Sequence, residues 1–240
     1  MIYVVGDIHG EISKLKKLIL NIYQYDKKVK LIFIGDYVNK GENSKETLDY
    51  LTTLKNSIFL MGNHEYYFLE FIKNGSYSEK LEKYAKNTTF IDFNMNLETI
   101  KVNFYLPYKS FFDKLKPYYL IDKYFIAHAG VSPKYANEPL DKIPIKEFLF
   151  NRYDFLEYQN KIHGRIAIFG HTGFNYPYYD GFKIGIDTAA VYSKDSPLTA
   201  FCIEEESFMN DQGGKYYLKD FQLNCTPWIN RRKPYRMKKK

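Results

Sequence analysis

The sequence predicts an α/β fold of layered sheets flanked by helices, and two observations carry the prediction. Apolar, β-branched runs alternate with stretches of helical periodicity through the N-terminal third of the chain. Several of those runs also end on a glycine followed by carboxylate, imidazole or amide side chains. The carboxyl ends of strands are where open α/β sheets hold their ligands.

Taken in order, Ile2-Tyr3-Val4-Val5 reads as a buried strand ending at Gly6-Asp7-Ile8-His9-Gly10. Ile12, Leu15, Leu18, Ile19 and Ile22 then recur at helical spacing, with lysines on the opposite face. A second strand at residues 29–34 ends at Gly35-Asp36, and Asn43 or Ser44 caps a helix to about residue 54. A third strand at residues 57–61 ends at Gly62-Asn63-His64-Glu65, with a helix expected at residues 66–73. Residues 74–116 are polar and aromatic with weak periodicity, and read as helices and loops packed outside the sheet.

Strands resume at residues 118–121 and 124–127, split by an Asp122-Lys123 turn and ending at His128-Ala129-Gly130. Residues 148–152 fall in a helix or loop after Pro144. A strand at residues 165–169 ends at Gly170-His171. Residues 183–186 and 198–203 read as further strands joined through Asp187-Thr188-Ala189-Ala190, and residues 216–223 as a last one.

A chain of 240 residues makes one large domain, or one domain with additions. No apolar run approaches the roughly 20 residues of a membrane helix, and the N-terminus shows no signal-peptide pattern. The only cysteines, Cys202 and Cys225, make no disulfide framework, so a reduced, cytoplasmic setting is expected. The net charge of +7 is concentrated in Arg231, Arg232, Lys233, Arg236, Lys238, Lys239 and Lys240, which leaves a body near neutrality. This tail reads as a solvated end, or else as a salt-sensitive contact to nucleic acid or a membrane surface.

Asp7, His9, Asp36, Asn63, His128 and His171 together form a ligand set of carboxylates, imidazoles and one amide oxygen, without thiolate. Such a set suits Mn²⁺, Fe, Zn, Ni or Co. It exceeds what one tetrahedral site needs, and suits two divalent metal ions if one carboxylate bridges them. Two such ions activate a water and stabilise the attacking and leaving oxygens of a phosphate ester. Each of these residues alone is more often structural; the ordered set is what points to metal chemistry.

Gly6-Asp7-Ile8-His9-Gly10, Gly35-Asp36-Tyr37-Val38-Asn39-Lys40-Gly41, Gly62-Asn63-His64-Glu65, His128-Ala129-Gly130 and Gly170-His171-Thr172 resemble, in order, the signature of the phosphoprotein phosphatase family of metallophosphoesterases. The likeness runs from about residue 1 to 203 and includes Ile186-Asp187-Thr188. It implies a layered β-sandwich whose dimetal site lies at strand carboxyl ends. The implied catalytic domain spans residues 1–207, with 74–116 as a cap insertion and 208–240 as an extension with the basic tail. Asp7 and His9 are implied to hold the first metal, Asp36 to bridge, and Asn63, His128 and His171 to hold the second. His64 is implied to protonate the leaving group, and Arg152 to grip phosphate with its guanidinium fork.

Where the family most often has Asp-Arg, this chain has Asn39-Lys40. Asn39 can orient His64 but brings no charge to stabilise an imidazolium, and Lys40 keeps positive charge near the phosphate without the fork. These residues are similar to the branch that cleaves dinucleoside polyphosphates or capped RNA ends, whereas Glu65 is usual among the protein phosphatases. The leading expectation is a serine/threonine protein phosphatase. The alternatives are a diadenosine tetraphosphate or RNA 5′-end hydrolase, and a catalytically weakened phosphate-binding protein.

Overall fold

A computed structural model describes residues 1–220. The basic tail and Cys225 lie outside the described residues. In chain order the N-terminal part contains β1 (Ile2–Val5), α1 (Ile12–Tyr25), β2 (Lys30–Phe33), α2 (Ser44–Thr53), β3 (Ser57–Phe59) and α3 (Asn63–Asn74). Short helices follow: α4 (Glu79–Ala85), α5 (Thr89–Asp92), a π turn at Lys101–Tyr105 and α6 (Lys109–Phe112). The rest comprises β4 (Tyr118–Ile121), β5 (Tyr124–Ala127), α7 (Ile145–Phe150), α8 (Tyr153–Glu157), β6 (Ile166–Phe169), β7 (Tyr178–Tyr179), β8 (Lys183–Gly185), β9 (Thr199–Cys202), β10 (Ser207–Asn210) and β11 (Lys215–Tyr217).

These strands form two sheets, β11-β10-β9-β1-β2-β3 and β4-β5-β6-β8-β7. β1, β2 and β3 run parallel in the first; β5, β6 and β8 run parallel in the second. Side-chain alternation explains the layering. Val4, Ile32, Ile126 and Ile168 point into the core between the sheets. Tyr3, Val5, Leu31 and Phe33 point the other way, onto α1 and α2. Phe125, Ala127 and Phe169 do the same toward α7 and α8. Both faces of each central strand are therefore buried, which is why these strands read as continuous apolar runs rather than alternating ones.

The structure changes several expectations. The helix expected at 66–73 begins at Asn63, so Asn63, His64 and Glu65 form its first turn. Gly62 is its extended N-cap, and Glu65 reaches back to accept the Gly62 N–H at 3.1 Å. First-turn residues carry free N–H groups and need no apolar periodicity, so the pattern there is silent. The strands expected on either side of Asp187 belong to different sheets, because β9 pairs with β1 while β8 pairs with β6. The segment between them passes from one sheet to the other.

The boundary expected at residue 207 falls on the first residue of β10, which pairs along its length with β9, so the sheet runs on across it. The strand expected at 216–223 is β11, at Lys215–Tyr217. Residues 74–116 form these short helices and the loops between them, and tie into the first layer. Phe90, Phe93, Phe104 and Phe112 share a core with α1 and α2, and the Tyr108 hydroxyl donates to Asp49 on α2.

Candidate metal centre and active site

The carboxyl ends of six parallel strands from the two sheets converge at one point. Asp7 and His9 follow β1, Asp36 follows β2, and Asn63 and His64 open α3 after β3. His128 follows β5, His171 follows β6 and Asp187 follows β8. Residues far apart in the chain thus meet because the sheets stack with their carboxyl ends together.

Asp36 is at the centre. Its Oδ2 lies 3.3 Å from His9 Nε2 and 3.8 Å from His64 Nε2, and its Oδ1 lies 3.4 Å from His128 Nε2. Asn63 Oδ1 faces His128 Nε2 at 3.0 Å and His171 Nδ1 at 2.8 Å. The Asp7 carboxylate accepts the His171 N–H at 3.1 Å. Every candidate ligand except His171 is almost fully buried, and His171 is partly exposed.

The local backbone is bent to make this approach. His9, Asp36, Asn39, Lys40 and His171 all hold left-handed φ, between 50° and 71°. Such conformations are costly for residues with a Cβ and persist only where surrounding bonds enforce them. Glu65 supplies much of that enforcement at Asp36, because its carboxylate accepts the N–H of Asp36 at 2.9 Å and of Tyr37 at 2.8 Å. Two glycines leave the room required. A Cβ on Gly62 would sit 2.2 Å from Asp36 Oδ1, and one on Gly170 would sit 2.1 Å from Asp7 Oδ1.

Whether these groups suit cations can be read from their hydrogen bonds. His9 Nδ1 lies 3.0 Å from the Val38 carbonyl, and His128 Nδ1 lies 3.1 Å from the Ile34 carbonyl. A carbonyl only accepts, so each Nδ1 carries a proton, and Nε2 is the atom turned toward Asp36 and the one placed to ligate an ion. His9, Asp36 and His64 form one group whose donor atoms lie within 4.8 Å of one another, and Asp36, His128 and His171 form a second. Asp36 belongs to both.

The electrostatics agree. Burial, and next the Asp187 carboxylate, push the Asp7 carboxyl well above its usual range. Burial also works against charge on Asp36, but the imidazoles of His128, His64 and His9 outweigh it and hold this carboxyl well below that range. Burial and then Lys40 depress His9. Burial opposes charge on His128 as well, but the Asp36 carboxylate outweighs it and raises this imidazole to about 9. Buried carboxylates and imidazoles this close share protons, and a divalent cation can take the place of those protons.

Around this centre stand cations and aromatic rings. Lys40 Nζ lies 2.6 Å from His9 Nε2 and 5.3 Å from the centroid of the Tyr192 ring. Arg152, the N-cap of α8, places Nη2 3.1 Å from both His171 Nε2 and the His171 carbonyl. Tyr84 of α4 sets its ring 5.0 Å from His64, with Tyr67 at 6.4 Å from the same imidazole and Phe150 against Tyr67. Asn39 Nδ2 lies 2.9 Å from His64 Nδ1.

All ten residues expected at the site therefore gather within it. Sequence reasoning assigned no role to Asp187, although its family segment was visible, and gave none to Tyr84, Tyr192 or Thr89. A strand-end carboxylate pattern could have found Asp187. The others reach the site only through packing of the cap and of the segment that changes sheets.

The fold and the centre together define a metallophosphoesterase. The chain belongs to the calcineurin-like phosphoesterases, whose family profile matches residues 1–195. It is 41% identical over 68 residues to the symmetrical bis(5′-nucleosyl)-tetraphosphatase of Coxiella burnetii, covering 28% of this chain and 23% of that protein. It is 34% identical over 147 residues to the serine/threonine-protein phosphatase PP2A-like PPG1 of Candida albicans, covering 59% and 31%. The chain thus spans about a quarter to a third of the length of these curated relatives. Among solved structures, the protein-tyrosine phosphatase of a psychrophilic Shewanella superposes with a TM-score of 0.65 at 12% identity, covering 90% of this chain and 80% of that one. A candidate diadenosine tetraphosphatase superposes at 0.58 and 19% identity, covering 95% and 94%. At such identities these structures support the fold alone. Among the described residues, no helix is long and apolar enough to cross a membrane.

Proposed function

We propose that this protein is a divalent-metal-dependent phosphoester hydrolase whose preferred substrate is a dinucleoside polyphosphate of the diadenosine tetraphosphate kind. The observation that carries the substrate choice is the aromatic rim. Tyr84 and Tyr67 stand against His64, Phe150 against Tyr67 and Tyr192 under Lys40, at a centre that also presents Arg152. Half-buried and exposed aromatic rings beside cations suit a ligand with flat bases joined by a phosphate chain.

In this reading Asp7, His9 and Asp36 would hold one divalent ion, and Asp36, Asn63, His128 and His171 a second, Mn²⁺ being a good match to the donors. Bound there, such ions would supply an activated water and offset the charge of the phosphate. Arg152 grips two phosphate oxygens with its fork, and Lys40 adds a point charge. His64, held by Asn39, faces the departing oxygen. Hydrolysis of phosphoserine or phosphothreonine proteins is the second reading. A cavity of about 480 Å³ lined by Phe150, Arg152 and Tyr153 supports it, because it opens beside Arg152 and leaves room for a peptide.

Side-by-side Mn²⁺-dependent turnover of diadenosine tetraphosphate and a phosphoserine peptide, with Asp36→Asn as the blank, tests the proposal. A clear preference for the dinucleotide is the expected result. Preference for the peptide overturns the substrate choice and makes Asn39-Lys40 a tolerated variation.

A further inference from the structure

Asn39 is buried, and its side chain has two neighbours. Its Oδ1 lies 2.8 Å from the Thr89 hydroxyl and its Nδ2 lies 2.9 Å from His64 Nδ1. Thr89 comes from α5 of the cap, fifty residues along the chain. Its hydroxyl also meets that of Ser44, the first residue of α2, at 2.9 Å. The Asn39 backbone N–H lies within reach of both hydroxyls, 3.1 Å from Ser44 and 2.9 Å from Thr89. Ser44, Thr89 and Asn39 are each fully buried, so every proton among them needs an acceptor inside the protein.

Counting protons decides the direction of this chain. Each hydroxyl has one proton to give. With the Asn39 oxygen toward Thr89, the Thr89 hydroxyl donates to it and the Ser44 hydroxyl donates to Thr89. The Asn39 amide then donates one of its two protons to His64 Nδ1, and both hydroxyl protons have acceptors. With the amide turned round, its N–H₂ donates to Thr89, and Thr89 must donate to Ser44. The Ser44 proton is then left with no acceptor among the described residues, an unpaired buried donor that disfavours this orientation.

We infer that Ser44, Thr89 and Asn39 form a one-way hydrogen-bond chain that holds His64 as a neutral Nε2–H donor, so that the site favours leaving groups that depart without gaining a proton. The inference rests on the phosphoester hydrolase reading above and narrows its substrate to phosphoanhydrides ahead of alkyl phosphoesters. A donor facing Nδ1 excludes both the imidazolium and the Nδ1–H tautomer. His9 and His128 have the opposite arrangement, with Nδ1–H on a carbonyl. Their Nε2 atoms are the ones placed to ligate an ion, whereas the Nε2 of His64 carries a proton.

The chemical consequence follows from the bond that breaks. Water oxygen bonds to phosphorus, the bond from phosphorus to the leaving oxygen breaks, and its electron pair stays on that oxygen. The water loses its proton to solvent. When the leaving oxygen belongs to a phosphate, the charge is spread over several oxygens, and a hydrogen bond from His64 Nε2–H is sufficient. An alkyl leaving oxygen must be protonated as it departs. A neutral imidazole giving up its last N–H would become an anion, which is not accessible near neutral pH.

Thr89 and Ser44 are positioning residues in this arrangement, and the test reads tautomer as well as rate. In ¹⁵N-histidine-labelled full-length protein, the two His64 nitrogen shifts should show Nδ1 bare and Nε2 protonated, with and without Mn²⁺. Asn39→Asp, whose carboxylate only accepts, should move the proton to Nδ1. It should also raise turnover of an alkyl phosphomonoester relative to diadenosine tetraphosphate by about tenfold or more, within the roughly 10²–10⁴-fold reach of general acid catalysis. Thr89→Val should give a mixed tautomer and an intermediate ratio, and Thr89→Ser should restore the wild-type values. A wild-type spectrum with Nδ1 protonated overturns the direction of the chain. A switched tautomer in Asn39→Asp with an unchanged ratio overturns its consequence for substrate. The nitrogen shifts need no substrate, so failure of the nucleotide reading in the turnover assay is distinguishable from failure of this one.

Discussion

Glu65 and Asp36 are tied through the backbone: Glu65 Oε2 accepts the Asp36 N–H at 2.9 Å, and its Oε1 accepts the next N–H, that of Tyr37. The same carboxylate also accepts the Gly62 N–H. One buried side chain thus holds the left-handed turn at Asp36 against the start of α3 and fixes the distance between Asp36 and Asn63. Glu65→Gln places an N–H₂ against backbone N–H donors. Hydrogen bonds to charged groups contribute about 1.5–3 kcal/mol each. The expected outcome is a loss of about 2–4 kcal/mol in urea unfolding, with weakened Mn²⁺ binding by calorimetry. A variant with wild-type stability would show that the turn is held by other means.

Asp36 touches both candidate cation groups. Its removal should therefore affect both, where loss of His9 or His171 affects one. Because an ion that binds only the folded state stabilises it, Mn²⁺ should raise the melting temperature of the wild type in a concentration-dependent way. Asp36→Asn should abolish that rise and lower turnover by more than the roughly 10–100-fold typical of losing a residue beyond the ligands themselves. An undiminished melting shift in Asp36→Asn would contradict the placement of the ions.

The aromatic rim predicts a binding effect separable from chemistry. Base stacking on an aromatic side chain contributes about 1–3 kcal/mol per base. Tyr84→Ala should raise KM for diadenosine tetraphosphate by about tenfold while leaving KM for a small phenyl phosphate within about twofold. Equal changes for both substrates would mean that Tyr84 supports His64 and does not meet a base.

Away from the site, Lys183 on β8 is fully buried, with its ammonium 2.6 Å from Asp180 and bonded to the Tyr158 carbonyl. Asp180→Ala leaves a buried ammonium without its counter-ion and should cost about 3–5 kcal/mol, read by urea unfolding. Lys183→Met with Asp180→Asn should recover most of it. Burial pulls Lys183 below its ordinary value of 10.5, and Asp180 only partly offsets this. A lysine depressed in the folded state sheds its proton more readily there than in the unfolded chain. Its cost to stability is therefore full below the folded value and fades as pH rises toward 10.5. The wild type should therefore gain stability relative to the double variant across that alkaline window.

The sequence by itself determined the metal-type residues and the fold class. Glycine-flanked carboxylates and imidazoles at the ends of buried apolar strands are a local pattern, and Asp7, His9, Asp36, Asn63, His128 and His171 were legible for that reason. Lys40 and Arg152 were legible through the motifs around them. Tertiary structure alone decided what these residues touch. The start of α3 was hidden because a capped first turn has no apolar period. The split of β8 and β9 into separate sheets was hidden because a buried strand looks the same whichever strand it pairs with. Thr89 lies in a stretch with no motif, and it matters because cap packing puts its hydroxyl on Asn39. The identity of Asn39 could be read from the chain, but the direction in which its amide points depends on two hydroxyls that only the fold brings within hydrogen-bond reach.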